Sequence, residues 1–358
     1  MDFLEHNKKL FDEIKSRIDS DPENTENYLL LGKLYVMGNY YDEALKVYEK
    51  LLLKDPLNIQ ALINTGSIYF FKKDYAQAVN TFSRALETDK EDYSIYYNLG
   101  NTYAEMKQYK QAMTSYKKAL TLNKKDGALF TAIGILHQDM DEYPEAVANF
   151  QKAVSLEENN PEYNNNLACA FVKMKMFHEA VYHFKKALEA DPDNTKINLC
   201  CANAYSALSE YDTANEYFDK VIEIDKNYYN AYICKAISLC DEGKIKEACA
   251  VYDKAVKIQP DNAKAFVLKA NLLVSEAKFA DALKLYKKAM KIEPNSPKIY
   301  IHAGNTSVLI DDLVGAVKDY KIAVDLNPDD KETILLYYDT VREYVNRKFD
   351  KEKTVESK

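Results

Sequence analysis

The chain has 358 residues, with 48 Lys and Arg against 56 Asp and Glu, which gives a net charge of −8. This balance excludes a general binder of phosphate backbones, because such proteins need a clustered positive surface. We therefore expect no nucleic-acid partner.

The N-terminal segment, residues 1–24, is predicted to form one helix that matches only the second half of a repeating unit. Leu10, Ile14 and Ile18 follow each other at the i, i+4, i+8 spacing of one helix face. The first residues lack the basic start and the continuous apolar stretch of a signal peptide, and no apolar run approaches the ~18 residues of a membrane span. We expect no membrane association.

A unit of 34 residues then repeats nine times over residues 25–330 without an insertion. The repeats are Thr25–Asn58, Ile59–Asp92, Tyr93–Asp126, Gly127–Asn160, Pro161–Asn194, Thr195–Tyr228, Tyr229–Asn262, Ala263–Ser296 and Pro297–Asp330. In the third repeat two runs of apolar residues have helical spacing, and Asp92 is placed to cap the first run. Each repeat is therefore predicted to be a pair of short helices.

Small and aromatic residues mark fixed positions of the repeat, counted from its first residue. Position 8 is small: Gly32, Gly66, Gly100, Gly134, Ala168, Ala202, Ala236, Ala270 and Gly304. Position 20 is always alanine: Ala44, Ala78, Ala112, Ala146, Ala180, Ala214, Ala248, Ala282 and Ala316. Position 24 is always aromatic: Tyr48, Phe82, Tyr116, Phe150, Phe184, Phe218, Tyr252, Tyr286 and Tyr320. This alternation predicts that facing helices interdigitate closely.

The C-terminal part departs from the repeat. Residues 331–347 keep an apolar face and are predicted to form a helix that caps the stack, since the end of such a stack must face water. Residues 348–358 are almost entirely polar and are predicted to be a disordered tail.

These residues resemble tetratricopeptide repeats, whose pattern includes Leu-Gly and Tyr on the first helix and Ala, an aromatic residue and Pro on the second. The resemblance covers residues 25–330. It implies an all-α fold, an α-solenoid in which nine helix pairs form a right-handed superhelix. It also implies a concave groove, lined by the first helices, that binds an extended or helical segment of another protein.

Several repeats depart from the family pattern. Asn164 and Asn198 replace the aromatic residue at position 4, and Lys235 and Lys269 replace the leucine at position 7. We expect repeats five to nine to pack more loosely.

Catalytic and cofactor motifs are missing: the sequence contains no phosphate-binding loop, dinucleotide fingerprint, nucleophile elbow or H-E-x-x-H. Cys200, Cys234 and Cys240 could be imagined as zinc ligands, but the chain has no C-x2-C knuckle, and small apolar cysteine is the better interpretation. The six cysteines show no disulfide-scaffold spacing, which fits a reducing compartment. We expect a cytoplasmic protein that is not an enzyme and holds no metal or cofactor.

By the family's geometry, positions 2, 5, 6, 9, 12 and 13 face the groove. In the first three repeats these positions include an apolar strip: Leu29, Val36, Ile63, Phe70, Phe71 and Tyr97. The strip is larger than a solvated helix face needs, which suggests a binding surface. The alternative is that part of it packs between neighbouring repeats.

Asparagine recurs at positions 6 and 9 of the first helices: Asn64, Asn98, Asn101, Asn166, Asn203, Asn271 and Asn305. Because an amide donates and accepts at once, such a series is able to hold a partner's backbone with little dependence on sequence. It resembles the asparagine ladder in the repeats of nucleocytoplasmic glycosyltransferases. The alternative is that asparagine is simply tolerated on an exposed helix face.

The resulting functional prediction is a non-enzymatic scaffold or adaptor that binds a peptide segment or protein partner in its groove. One alternative is a subunit that recruits substrates for a separately encoded glycosyltransferase, and another is a self-assembling structural protein. Family members that grip the C-terminal carboxylates of chaperones carry lysine at position 5. No lysine occurs there in this chain, so that partner class is disfavoured.

Overall fold

The computed structural model describes residues 3–356, and it describes their side chains as far as residue 348. Within this range every regular element is a helix. The chain divides between Met176 and Phe177 into two compact units, an N-terminal unit and a C-terminal unit. No helix in the described range has the length and apolarity that a membrane crossing requires.

The N-terminal unit begins with two short helices and continues with helix pairs. Its helices are α1 (Phe3–His6), α2 (Lys8–Ser20), α3 (Thr25–Met37), α4 (Tyr41–Lys54), α5 (Ile59–Phe71), α6 (Tyr75–Thr88), α7 (Tyr93–Glu105), α8 (Tyr109–Leu122), α9 (Gly127–Asp139), α10 (Tyr143–Leu156) and α11 (Pro161–Lys173).

The single N-terminal helix predicted for residues 1–24 is wrong in one detail, since the chain breaks between α1 and α2. Asn7 lies at the break, and its side-chain amide donates to the Phe3 carbonyl at 3.0 Å. A local side-chain bond of this kind competes with continuous helical geometry.

The C-terminal unit contains the remaining helices. They are α12 (Phe177–Ala190), α13 (Thr195–Ala207), α14 (Tyr211–Ile224), α15 (Tyr229–Asp241), α16 (Ile245–Ile258), α17 (Ala263–Ser275), α18 (Phe279–Ile292), α19 (Pro297–Leu309), α20 (Leu313–Leu326) and α21 (Lys331–Glu356).

The last helix is longer than the sequence predicted. Helix α21 runs to Glu356, so the backbone of residues 348–356 is helical and not a disordered tail. Residues 357 and 358 lie outside the described part. The segment contains no Pro or Gly and is rich in Lys and Glu, which are good helix formers, so nothing in it stops the helix.

Each repeat has the same helix boundaries. The first helix covers positions 1–13 and the second covers positions 17–30 in all nine repeats. Asp92 caps α7 as predicted, because its Oδ1 accepts from the Ser94 amide at 2.7 Å. Position 15, in the turn between the two helices, always has a positive φ: Asn39, Lys73, Lys107, Asp141, Lys175, Ser209, Gly243, Ala277 and Asp311. This left-handed residue reverses the chain within three residues.

The core of each repeat is built from the two positions that the sequence marked on the second helix. All nine alanines at position 20 are fully buried, and all nine rings at position 24 are 2% exposed or less. In the third repeat, a Cβ added to Gly100 would lie 2.3 Å from a ring carbon of Tyr116. The ring therefore occupies the space that a side chain at position 8 would need.

The expected looser packing of repeats five and six is wrong at position 4. Asn164 and Asn198 are buried, and their Nδ2 atoms donate to the carbonyls of Glu158 and Pro192 at 2.7 and 2.9 Å. Where position 4 is tyrosine, as in Tyr96, the hydroxyl reaches the equivalent carbonyl at 3.1 Å. The shorter amide makes the same connection between helix and preceding loop.

The lysines at position 7 are also accommodated. Lys235 forms an ion pair with Asp219, and Lys269 forms one with Asp253. Both aspartates occupy position 25 of the preceding repeat, so each pair links neighbouring repeats. The positive charge that replaces leucine at this position therefore has a partner.

We predict that Ala146→Leu destabilises the chain by about 1–3 kcal/mol, because the larger side chain overpacks a closed helix contact. Ala148→Leu is the matched control, since Ala148 is exposed on the same helix, α10. Chemical denaturation of both variants tests this. Equal stability of the two variants would contradict close packing at position 20.

A second prediction concerns pH. Burial raises the pKa of Asp319 in α20 to about 6, while Lys318 and Lys287 oppose the rise and Asp312 adds to it. The folded chain thus holds this proton more tightly than the unfolded chain does. Its contribution to stability is complete below about pH 4 and is lost as the pH rises through about 6. Between about pH 4 and about pH 6, the unfolding free energy of Asp319→Asn should therefore fall less than that of the original chain.

The control for this experiment is Asp325→Asn, which changes an exposed aspartate of the same helix. Denaturation curves at several pH values compare the two variants with the original chain. If Asp319→Asn and Asp325→Asn have the same pH dependence, burial of Asp319 has no effect on stability.

Candidate functional site

A cavity of about 290 Å³ opens in the N-terminal unit, on the side formed by first helices. Its walls come from the first helices of four consecutive repeats, the second to the fifth. The ring of Tyr116, on the second helix of the third repeat, also lines it. The lining residues are Phe70, Tyr97, Asn101, Ala104, Glu105, Tyr116, Ala128, Thr131, Ala132, Ile135, Leu136, Asp139, Glu162 and Tyr163. We call this space the central cavity.

The predicted groove positions converge on the central cavity. Positions 2, 5, 6, 9, 12 and 13 all contribute lining residues, among them Phe70, Tyr97 and Asn101 from the candidate set. The periodicity explains the convergence: residues spaced by three or four along a helix share one face, and stacked first helices present that face side by side.

Other members of the apolar strip lie elsewhere. Ile63 is only 8% exposed and lies in a hydrophobic cluster with Phe82 of its own repeat and Ile95 of the next. Leu29 and Val36 are half-buried and pack against the core of the first repeat. Phe71 is 57% exposed and stacks on Tyr41 outside the central cavity.

Aromatic rings shape one end of the central cavity. Tyr97 stacks on Tyr93 with 6.0 Å between ring centroids and meets Tyr116 at 6.4 Å. Phe70 is half-buried and contacts the ring of Tyr75 at 5.8 Å. These contacts hold the rings in defined orientations, so little side-chain entropy remains to be lost on binding.

Three of the candidate asparagines have a structural partner that the sequence analysis did not identify. The Oδ1 atoms of Asn101, Asn271 and Asn305 accept hydrogen bonds of 2.6–2.7 Å from the position-24 tyrosines of their own repeats, Tyr116, Tyr286 and Tyr320. The amide Nδ2 of each is not used in this bond. The sequence held only a partial signal: three of the four asparagines at position 9 accompany a tyrosine at position 24, but Asn203 accompanies Phe218. Tyr48 and Tyr252 have no asparagine at position 9.

The other asparagines of the series differ in their surroundings. Asn64, Asn98 and Asn166 are half-buried, and the Nδ2 of Asn64 is buried without a hydrogen-bond partner among the described residues. Asn203 is exposed in the C-terminal unit, where burial raises the pKa of the Cys234 thiol and Asn203 lowers it. The series therefore combines structural and accessible amides.

Negative charge surrounds the central cavity. Glu105, Asp139 and Glu162 line it and are exposed, and none of its lining residues is Lys, Arg or His. Burial raises the pKa of the Tyr116 hydroxyl, and the nearby charges of Glu105 and Asp139 raise it further. The hydroxyl of Tyr116 therefore stays protonated and neutral.

One polar atom beside the cavity lacks a partner. Thr131 lines the cavity and is 4% exposed, and its Oγ1 makes no hydrogen bond to any described residue. A buried hydroxyl without a partner costs about 1–3 kcal/mol.

The cysteines lie apart from this cavity. All six are free, and burial raises the pKa of the Cys201 thiol to about 12. Burial also raises the pKa of Cys200 and Cys234, so these sulfurs stay protonated at neutral pH. Among the described residues, no group of three or more His, Cys, Asp or Glu side chains is arranged to hold a metal ion.

Comparison with known families and structures identifies the architecture. Sequence models described as tetratricopeptide repeat match residues 93–126, residues 29–78 and 131–195, and residues 171–233 and 239–303. A model described as TPR repeat matches residues 66–107. Among curated proteins, none matches the chain in sequence.

Solved structures support the same assignment at the level of the fold. A tetratricopeptide repeat protein from Parabacteroides merdae is 19% identical, with a TM-score of 0.55, and the match covers 70% of this chain and 98% of that one. PilF of Pseudomonas aeruginosa is 20% identical, with a TM-score of 0.51 and coverage of 56% and 92%. The C-terminal part of a repeat protein from Cytophaga hutchinsonii is 19% identical, with a TM-score of 0.51 and coverage of 76% and 98%.

We predict that the Tyr286–Asn271 hydrogen bond stabilises the eighth repeat. Tyr286→Phe should cost about 0.5–1.5 kcal/mol, the usual net value of one such bond. Asn271→Ile introduces the residue that the fourth and seventh repeats have at position 9. Denaturation of both single variants and the double variant gives the coupling energy. Additive effects would mean that the asparagine is not held by the tyrosine.

Proposed function

The chain belongs to the tetratricopeptide repeat family, and from that premise we propose that it is a non-enzymatic scaffold that binds a segment of a partner protein in the central cavity. The segment lies along the first helices of the second to fifth repeats. The convergence of the predicted groove positions on one cavity is the observation that carries this proposal.

The character of the cavity supports binding of a side chain from the partner. Its walls combine half-buried rings, Phe70 and Tyr97, with small and aliphatic residues such as Ala132 and Ile135. Ile135 is 43% exposed, so it presents apolar surface inside the cavity. Interfaces of this kind obtain most of their affinity from a few anchors that fill such pockets.

Polar groups at the same place are suited to a backbone. The Nδ2 of Asn101 is not used in the bond to Tyr116, and Asn101 is half-buried in the cavity wall. A peptide supplies both donors and acceptors at regular intervals, so it is able to satisfy groups of either kind. A reducing, cytoplasmic location is part of this proposal and is supported by the six free cysteines.

The glycosyltransferase alternative is weakened by the tyrosine–asparagine bonds, because they give three of the seven amides a structural role. Self-assembly draws support from exposed aromatic surface on α21, where Tyr338 is 64% exposed. Affinity capture followed by mass spectrometry separates these possibilities. A glycosyltransferase in the captured material would favour the substrate-recruiting alternative. Capture of further copies of this chain would favour self-assembly.

We predict that Phe70→Ala weakens capture of the partner by about tenfold or more, equivalent to about 1.4 kcal/mol. Because Phe70 is only half-buried, its truncation should cost less stability than the about 3–5 kcal/mol of a fully buried phenylalanine. A melting curve and a capture titration are measured on the same variant.

The matched control is Phe71→Ala, which removes the neighbouring ring that lies outside the central cavity. This variant should capture the partner as the original chain does. Unchanged capture by Phe70→Ala, or equal losses in both variants, would move the binding site away from the cavity.

A further inference from the structure

Three carboxylates line the central cavity. Glu105, Asp139 and Glu162 are exposed, and none forms an ion pair with a described residue. Among the described side chains, Glu105 has one hydrogen-bond partner, the Tyr75 hydroxyl at 3.3 Å. Carboxylates that are not needed for folding remain available to a ligand.

The three carboxylates come from three different repeats and meet only in the folded chain. Glu105 and Asp139 occupy position 13 of the third and fourth repeats, and Glu162 occupies position 2 of the fifth. All three line the same cavity, whose volume is about 290 Å³. A positive group that enters this cavity is therefore attracted by carboxylates from three repeats.

This acidic character is not a general property of the repeats. Position 2 is lysine in the sixth, eighth and ninth repeats, where Lys196, Lys264 and Lys298 are all exposed. Position 13 changes from acid to lysine at Lys173 in the fifth repeat. The same geometric positions therefore carry opposite charge in different parts of the chain, and the acidic ring belongs to the central cavity.

Much of the surface between these carboxylates is apolar. Ala104, Ala132, Ile135 and Leu136 line it together with the rings already described. An apolar pocket edged by uncompensated negative charge fits a ligand that combines one apolar side chain with positive charge close beside it. It opposes acidic ligands, because like charges facing each other across an interface cost binding free energy.

We infer that the central cavity selects a basic peptide segment: one apolar or aromatic side chain enters the cavity, and Lys or Arg residues near it in the sequence pair with Glu105, Asp139 and Glu162. This inference rests on the proposed function and adds the chemistry of the partner to it. The apolar anchor supplies affinity, and the ring of carboxylates supplies selectivity and speeds association.

The test uses the full chain and a displayed library of short random peptides as the probe. Peptides that bind the original chain are selected and sequenced, and their dissociation constants are measured at low and high salt. The same selection is made on the triple variant Glu105→Gln, Asp139→Asn, Glu162→Gln, whose amides keep the shape of the side chains. Asp241→Asn is the matched control, because it removes an exposed carboxylate at position 13 of the seventh repeat.

The expected result is a set of peptides in which an apolar residue has Lys or Arg close to it. The triple variant should bind them about tenfold more weakly at low salt, since exposed ion pairs contribute modestly one by one. High salt should reduce this difference, because it screens exposed charges. Asp241→Asn should bind as the original chain does.

The Phe70→Ala variant separates failure of the basic-segment inference from failure of the proposed binding site. Peptides that lose affinity in Phe70→Ala but contain no excess of Lys or Arg, or bind the triple variant equally well, would overturn the basic-segment inference and leave the proposed site in place. Selected peptides whose affinity is the same for Phe70→Ala and the original chain would overturn both.

Discussion

The contact that the rest of this structure depends on joins a small residue of one helix to an aromatic ring of the next. In the third repeat the Tyr116 ring fills the space beside Gly100, and in the fourth the Phe150 ring does the same beside Gly134. Glycine inside a helix costs about 1 kcal/mol relative to alanine, so its use here reflects the gain from close packing. Positions 5 and 9 of the first helix lie beside this contact, since Tyr97 meets the Tyr116 ring and Asn101 accepts a hydrogen bond from its hydroxyl.

Because this core is so uniform, the repeats differ mainly in how they satisfy polar groups around it. A tyrosine at position 24 brings a hydroxyl into the core, and an asparagine at position 9 accepts its hydrogen bond, as in Tyr286 and Asn271. A lysine at position 7 is matched by an aspartate in the preceding repeat, as in Lys235 and Asp219. These substitutions have a local partner, whereas the hydroxyl of Tyr48 in the first repeat is buried without a hydrogen-bond partner among the described residues.

The uniform core leaves the side chains at the groove positions free to differ from repeat to repeat. The backbone presents equivalent positions in every repeat, but the charges at those positions change along the chain, from Glu162 in the fifth repeat to Lys196 in the sixth. Binding selectivity is then a property of side chains that the core does not constrain. The central cavity is where an apolar surface and uncompensated charge occur together in the N-terminal unit.

The sequence by itself determined the repeat, its helix boundaries and its core, because these depend on local periodicity, on capping groups such as Asp92 and on positions that recur nine times. It also indicated which positions of the first helix face a groove. Only the tertiary structure decided which side chains at those positions are accessible. Ile63 and Phe70 are both apolar residues at groove positions of α5, but Ile63 is buried and Phe70 is half-buried. The tertiary structure alone brought Glu105 and Glu162 to the lining of one cavity, because that depends on how helices from separate repeats pack, and no local pattern encodes it.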